Sequence, residues 1–301
     1  MVDVQIIGAG PAGLSAALYA ARAGLSVRLF DPASGGQLLE AAEVENYPGV
    51  GRVRGETLAA SFRREALAAG AQLVPEQVES AVRARDGFSL KTPNGCFFGR
   101  ALILANGAEP RRLNVEGEQE LRGRGVSYCA VCDGRFFGGK RVAVVGGGDS
   151  ALSEALYLSR VAAAVHVLYR GERFRGSSAL LSRLAGLPQV VLHTDCRVRA
   201  IRGRLSVEAV ELEGGEELRV QGVFVAIGRE PRNAPFANLF PLDERGYVAA
   251  DENGACGAEG LFAAGDTRAK ALRQITTAVA DGANAAENAR RYLTARAVSR
   301  I

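Results

Sequence analysis

Short apolar runs alternate with alanine-rich stretches along this chain, and glycine-containing turns separate them. Val2 to Ile7 reads as a first strand, Pro11 to Ala23 as a helix ended by Gly24, and Ser26 to Phe30 as a second strand closing on Asp31. Two strand patterns surround a turn at Asp86-Gly87, and a further turn falls at Pro93-Asn94-Gly95. Ala101-Leu102-Ile103-Leu104-Ala105 has the continuous apolar character of a buried strand, and Asn106-Gly107-Ala108-Glu109-Pro110 closes it. The theme then repeats, with Val142 to Val145 as a strand, Ser150 to Arg160 as a helix and Val165 to Tyr169 as the next strand. Alternation around Val207 to Leu212 precedes a buried strand, Val223 to Ile227, that ends in the turn Gly228-Arg229-Glu230-Pro231. From about Leu242 the pattern changes to Gly260-Leu261-Phe262-Ala263-Ala264-Gly265-Asp266 and then an alanine-rich segment from Thr276 to Arg296. Strands alternating with helices predict an α/β fold, and the weak internal repeat predicts two Rossmann-like, three-layer nucleotide-binding domains, one inserted into the other. The expected boundaries are 1–110 and 241–301 for the outer domain and 111–240 for the inserted one.

A chain of 301 residues, 48% hydrophobic and 23% charged, is large enough for two domains with cores that need no disulfide or metal. Of its 37 basic residues only Lys91, Lys140 and Lys270 are lysines, yet the net charge is +4 and no basic block stands apart from acidic residues. That balance argues against a nucleic-acid partner. No basic leader with an apolar core precedes the first strand, and no apolar run approaches the roughly 20 residues that span a bilayer. A cytoplasmic protein with no membrane partner is expected. In a reducing compartment a close-set cysteine pair points to catalysis or metal binding. Metal binding lacks ligands, because Cys96, Cys196 and Cys256 form no second pair and His166 and His193 are the only histidines. No metal is expected, and the three isolated cysteines read as small buried or half-buried residues.

Two glycine-rich turns then acquire meaning. Gly8, Gly10 and Gly13 lie between a strand and a helix, giving the tight turn, the close approach to a pyrophosphate and the close helix packing of a dinucleotide site. Asp31 ends the next strand, where a carboxylate binds ribose hydroxyls. In Gly146-Gly147-Gly148-Asp149-Ser150-Ala151 the last glycine is replaced by Ala151, a variant of NADP sites. No acid ends the following strand; Arg170 and Arg175 stand there instead and can pair with a 2′-phosphate. Between the two turns lies Cys129-Ala-Val-Cys132-Asp133-Gly134. Such a pair exchanges two electrons as dithiol and disulfide, and the thiolate is its reactive form. Asp133 is placed to pass a proton or to cap a helix. A flavin site, a nicotinamide site and a cysteine pair together describe an electron relay.

These motifs resemble, in order and over essentially the whole chain, the low-molecular-weight, bacterial-type thioredoxin reductases. Gly8-Ala9-Gly10-Pro11-Ala12-Gly13 is similar to the family's FAD-binding start. Gly35-Gly36-Gln37-Leu38 and Glu43-Val44-Glu45-Asn46-Tyr47-Pro48-Gly49 resemble its loop and flavin-contacting segment. Gly265-Asp266 with Arg273-Gln274 resembles its second FAD segment, and Gly146, Gly148, Asp149, Ser150 and Ala151 its NADPH loop. The resemblance implies that NADPH reduces FAD, that Cys132 is the flavin-proximal thiol, that Cys129 attacks thioredoxin or a thioredoxin-like protein, and that Asp133 is the acid. It also implies a homodimer and a rotating NADPH domain, with hinges in Asn106 to Asn114 and Gly228 to Asp243. This chain departs from the family at three places. The usual His-Arg-Arg-x-x-x-Arg reads Tyr169-Arg170-Gly171-x-x-x-Arg175, Ala-Thr-Gly reads Ala105-Asn106-Gly107, and Gly-x-x-Pro-Asn reads Gly228-Arg229-Glu230-Pro231-Arg232 with Asn233 displaced by one. One lost charge-assisted contact costs about 1.5–3 kcal/mol, roughly ten- to a hundredfold in affinity. The departures leave two alternatives: the same disulfide enzyme fed by another donor such as ferredoxin, and a non-catalytic flavin-binding redox sensor.

Overall fold

The structure, a computed structural model, describes residues 1–33, 35–41 and 43–298. It divides into two compact units, Met1–Glu109 with Glu230–Ile301, and Pro110–Arg229. In the first, β1 (Val2–Ile7) leads through α1 (Pro11–Arg22) to β2 (Val27–Phe30). There follow α2 (Gly55–Ala68), β3 (Gln72–Val74), β4 (Ser80–Ala84), β5 (Gly87–Thr92) and β6 (Gly95–Leu104). The sheet order is β3-β2-β1-β6-β5-β4. β1 lies at its parallel centre, with Val4 opposite Val27 on one side and Ala101 on the other. Both faces are covered there, so Val2, Val4, Ile6 and Ile7 are all buried. The strand has two polar residues: Asp3, at its open end, accepts the Ser26 hydroxyl at 2.7 Å, whereas Gln5 is wholly buried and neither polar atom of its amide has a hydrogen-bond partner. β6 is long because its first half pairs antiparallel with β5 and its second half parallel with β1.

The chain leaves through β7 (Ala108–Pro110) and builds the second unit. Its elements run β8 (Val126–Ser127), α3 (Ala130–Asp133), β9 (Arg141–Val145), α4 (Asp149–Leu158), β10 (Ala164–Leu168), α5 (Ser178–Ala185) and β11 (Val190–His193). Next come β12 (Val198–Arg202), β13 (Ala209–Leu212), β14 (Glu217–Arg219) and β15 (Gly222–Val225). A parallel sheet, β11-β10-β9-β15-β8, forms the middle layer, and β12-β13-β14 form a separate antiparallel sheet. Val142, Val144, Val165 and Val167 face the helices through Leu152, Ala155 and Leu158. Ala143, Val145, Val223 and Val225 face the small sheet through Ile201, Val210 and Leu212. Strict alternation along β9 thus serves two buried layers.

The chain returns through β16 (Arg229–Pro231), paired with β7, and adds β17 (Leu261–Ala263) beside β6, with Leu261 opposite Leu102. It ends in α6 (Ile275–Val298), whose Ala278, Ala285, Ala286 and Ala289 share a core with Ala12, Ala16, Ala17 and Ala20 of α1. Small side chains let the two helices approach closely. A Cβ on Gly282 would stand 2.1 Å from the Ala12 carbonyl oxygen.

The expected strands and long helices appear within a residue or two of their sequence-based bounds, except that β6 begins at Gly95, six residues before the expected Ala101, because its first half pairs with β5. Helices α2 and α5 have no counterpart in that reading. The second crossing falls at Arg229–Glu230, ahead of the expected boundary at 240 and 241. The physical reason is that Phe236 and Phe240 are buried with Ile7, Phe30 and Phe88 in a core of the first unit. Among the described residues no helix is long and apolar enough to cross a membrane.

Candidate active site

The first unit gathers the residues expected around a flavin. Gly8 adopts φ +100°, and a Cβ there would lie 2.4 Å from the Ala105 carbonyl oxygen. At Gly13 a Cβ would lie 1.8 Å from the Gly8 carbonyl oxygen. Both glycines are therefore dictated by the turn itself. Gly10 is different: it has an ordinary φ of −76°, and a Cβ would meet nothing nearer than the Gly36 Cα at 3.9 Å. Its missing side chain leaves room before the N-terminus of α1, which has Pro11 in its first turn and no side-chain cap. An anion fits such a place, through helix-end N–H groups and the helix dipole.

Asp31 accepts the Ala9 N–H on Oδ2 and the Ala33 N–H on Oδ1, each at 2.7 Å, so its carboxylate holds the glycine turn as well as facing it. Gly36 lies against Gly10, where a Cβ would be 3.1 Å from the Gly10 Cα. Gln37 donates from Nε2 to the Ala108 carbonyl at 2.8 Å, and Leu38 is buried with Val44 and Leu58. Asn46 donates to Gln274 Oε1 at 3.0 Å, joining two expected flavin residues 228 positions apart. Gly265, at φ +80°, packs so closely on α1 that a Cβ would stand 2.7 Å from the Ala12 Cβ. Asp266 is half-buried beside it, and Arg273 covers the Tyr247 ring at 4.3 Å. The departures at Asn106 and Asn233 meet each other: Asn106 Nδ2 donates to Asn233 Oδ1 at 3.2 Å and to the Arg232 carbonyl at 3.0 Å. Asn233, fully buried, also accepts the Thr267 hydroxyl at 2.7 Å.

The second unit repeats the glycine logic. Gly146 is compelled by backbone, a Cβ lying 2.4 Å from the Ala226 carbonyl oxygen, and Ala151 is fully buried against it. Gly148 caps α4 with no atom within 4 Å of a Cβ, again leaving open space at a helix start. Asp149 accepts the Ser177 N–H at 2.7 Å, and Ser150 is exposed. The Arg175 and Gly176 N–H groups donate to the Gly147 carbonyl at 2.7 and 3.0 Å, folding the basic loop back onto the glycine turn. Tyr169 fills that fold. Its ring would lie 2.2 Å from a Cβ on Gly147 and 2.9 Å from one on Gly171, and it stacks on Phe174 at 5.4 Å. With tyrosine in this slot, a side chain at position 171 would crowd the far edge of the ring, so the residues at 169 and 171 are coupled. Arg170 and Arg175 are exposed at the rim, with the Arg175 guanidinium 5.9 Å from the Tyr169 ring centre.

Cys129 and Cys132 form a disulfide at the start of α3, with Cys129 half-buried and Cys132 exposed. Cys129 is the helix N-cap, and its Sγ accepts the Cys132 N–H at 3.2 Å. Asp133 closes the same turn and accepts the Ser127 hydroxyl at 2.6 Å. Burial pushes the Asp133 carboxyl above its ordinary value, against the opposing Ser127 bond. Ser127 also accepts the Cys129 N–H at 3.1 Å, so one buried hydroxyl ties the acid to the cysteine turn. Neighbouring Tyr128 donates to the buried Glu118 at 2.9 Å, and burial with that carboxylate pushes its phenol up to about 12. Glu154 of α4 lies behind the Ala130 amide, and burial pushes it up to about 7. Ser127 and Glu154 were not singled out by sequence reasoning. A hydroxyl two positions before the first cysteine was the available sign of the former; nothing local marks the latter.

Comparison with known proteins agrees with this geometry. The pyridine nucleotide-disulphide oxidoreductase family matches residues 2–282. A thioredoxin reductase of Bacillus subtilis is 41% identical over 298 residues, covering 97% of this chain and 94% of that protein. A bifunctional thioredoxin reductase/thioredoxin of Mycobacterium leprae is 43% identical over 99% of this chain and 67% of its own length. The crystal structure of thioredoxin reductase from Streptococcus pyogenes superposes with a TM-score of 0.93 at 37% identity, covering 98% of this chain and 99% of that one. Matched from its first strand into its last helix, and carrying a disulfide between two nucleotide-type turns, the chain belongs to the pyridine nucleotide-disulphide oxidoreductase family.

Proposed function

We propose that this chain is a flavoprotein thioredoxin-disulfide reductase that passes electrons from NADPH through FAD to the Cys129–Cys132 disulfide and on to thioredoxin. The observation that carries the reading is the disulfide itself, set on a short helix with a half-buried carboxyl one residue on. FAD would lie before the start of α1, against Gly10, Gly36, Asn46, Gly265, Asp266, Arg273 and Gln274, and would supply two-electron chemistry fed by NADPH. NADPH would lie before the start of α4, against Gly146 to Ala151, with Arg170 and Arg175 toward its 2′-phosphate.

Reduction breaks the S–S bond and delivers two electrons and two protons to the sulfurs. Asp133 holds one of those protons beside Cys132, and its burial favours the protonated carboxyl that this task requires. Cys129 then attacks one sulfur of the oxidised thioredoxin, forming a mixed disulfide and releasing the partner's other sulfur as a thiolate that takes up a proton. Cys132, deprotonated, attacks the Cys129 sulfur, re-forming the disulfide and releasing the second partner thiol. The fused reductase and thioredoxin of the Mycobacterium leprae relative supports thioredoxin as the acceptor. By the same kinship the working form is a homodimer, which sedimentation would measure.

The test is thioredoxin-dependent oxidation of NADPH by the FAD-loaded protein. Activity should vanish in Cys129→Ser and Cys132→Ser, and Cys132→Ser should trap a mixed disulfide through Cys129. A second reading keeps the flavin and disulfide but takes electrons from ferredoxin; the Tyr169 ring in its slot and the two-arginine rim favour it. A flavin bleached by dithionite but not by NADPH selects that reading.

A further inference from the structure

One carboxylate outside every motif ties the flavin segments together. Asp281 sits in the second turn of α6, is buried, and is one of only two acidic residues in that helix. Its Oδ2 accepts the Gly265 N–H at 3.0 Å and the Lys270 ammonium at 2.7 Å, while Oδ1 accepts Arg268 Nη1 at 2.9 Å. All three side chains are buried or nearly so, with relative exposures of 5% for Arg268, 11% for Lys270 and 10% for Asp281. Ion pairs this dry are not ornamental: the low dielectric strengthens each bond and makes the loss of any partner costly.

The neighbours of Asp281 show what the cluster holds in place. On α6, Gly282 lies against the Ala12 backbone, and the Ser15 hydroxyl donates to the Val279 carbonyl at 2.8 Å. Residues 279–282 are thereby docked on the first two turns of α1, directly behind the Gly8 to Gly13 turn. Gly265, which Asp281 grips by its N–H, is the residue whose Cα faces the Ala12 Cβ. Arg268 and Lys270 extend the grip along the chain that leads from Asp266 toward Arg273 and Gln274. One side chain thus fixes the second flavin segment against the first.

We propose that Asp281 is the positioning residue of the flavin site, holding the Gly265–Asp266 turn in register with the start of α1 through its bonds to Gly265, Arg268 and Lys270. The proposal rests on the assignment of FAD to the first unit. It assigns Asp281 no contact with the flavin.

The test measures FAD binding by apoprotein, from the change in flavin fluorescence, together with apoprotein melting. Asp281→Asn removes the charge and leaves two buried cations unbalanced. Asp281→Asn combined with Arg268→Met and Lys270→Met leaves no buried charge in the cluster, so the fold is spared while the grip on Gly265 is weakened. Both variants should bind FAD more weakly by about tenfold or more, the loss expected for a charge-assisted bond. The triple variant should melt near wild type without FAD. If Asp281→Asn does not fold, the triple variant alone decides. A triple variant that binds FAD within about twofold of wild type overturns the proposal, as does equal weakening of apo and FAD-bound melting with no change in affinity. A wild-type apoprotein that fails to bind FAD overturns the flavin assignment itself, and this proposal with it.

Discussion

Glu154 gives the sharpest quantitative test of the second unit. Its carboxyl sits on α4 behind the cysteine turn, and its Oε2 is buried with no hydrogen-bond partner. Burial is the leading cause of its raised proton affinity, and the Ala130 amide and the Arg229 guanidinium only partly oppose it. The pKa moves from 4.5 to about 7; at about 1.4 kcal/mol for each tenfold change in proton affinity, ionising the folded protein costs about 3 kcal/mol more than ionising the unfolded chain. The sign follows from that direction. Below 4.5 the group is neutral in both states, and the folded state bears no penalty. As pH rises toward 7 the unfolded chain ionises first, and the folded protein loses stability until its own carboxyl ionises. Glu154→Gln keeps the shape and cannot ionise. Its stability relative to wild type should be close to zero near pH 4.5 and should climb to about 3 kcal/mol by pH 8. Urea denaturation of the oxidised, FAD-loaded proteins at matched pH values reads this directly. A difference that is flat across that range, or that falls with pH, would refute the reasoning.

Four further outcomes follow from the same structure. Tyr169→His with Gly171→Arg puts a smaller imidazole in the slot and adds a cation to the rim, so the KM for NADPH should fall by roughly ten- to a hundredfold while that for NADH stays put. Gln5→Met removes two buried, unbonded polar atoms at constant chain length and should stabilise the protein by about 1–3 kcal/mol in urea titration. Ser127→Ala deletes the one bond that favours the Asp133 carboxylate, so Asp133 should hold its proton to higher pH and the pH profile of disulfide reduction should move upward. Gly13→Ala should destabilise the apoprotein outright, because its Cβ meets the Gly8 carbonyl, whereas Gly10→Ala should leave apoprotein melting intact and weaken FAD binding.

Most of the architecture was legible because both units obey local rules. β1, β9 and β15 are buried runs, α1 and α6 are alanine-rich, and turn chemistry falls where strands end. The segment from Glu230 to Phe240 reads as part of the inserted unit because its turn residues are plain in the sequence, whereas the burial of Phe236 and Phe240 with the first unit is a tertiary fact. Helices α2 and α5 carry weak local signals. α2 opens on Gly55, with no side-chain cap, and α5 is only eight residues long. The motif residues were legible as types, but their meetings were not. Asn46 finds Gln274, Asn106 finds Asn233 and Asp281 finds Gly265 only after the chain has folded.

The glycines show why a motif is weaker evidence than the geometry it stands for. In sequence, Gly8, Gly10 and Gly13 form one motif, and Gly146, Gly147 and Gly148 open another. In the fold they separate into two kinds. Gly8, Gly13 and Gly146 are glycine because backbone occupies the place of a side chain, and they would be needed in an apoprotein that bound nothing. Gly147 is glycine because the Tyr169 ring occupies that place. Gly10 and Gly148 are under no such compulsion: each has ordinary extended backbone, each opens a helix with no side-chain cap, and each faces space. Packing explains the first four, whereas the last two leave the starts of α1 and α4 open to an anion of the kind a dinucleotide carries. The proposed nucleotide sites therefore centre on the two glycines that packing does not require.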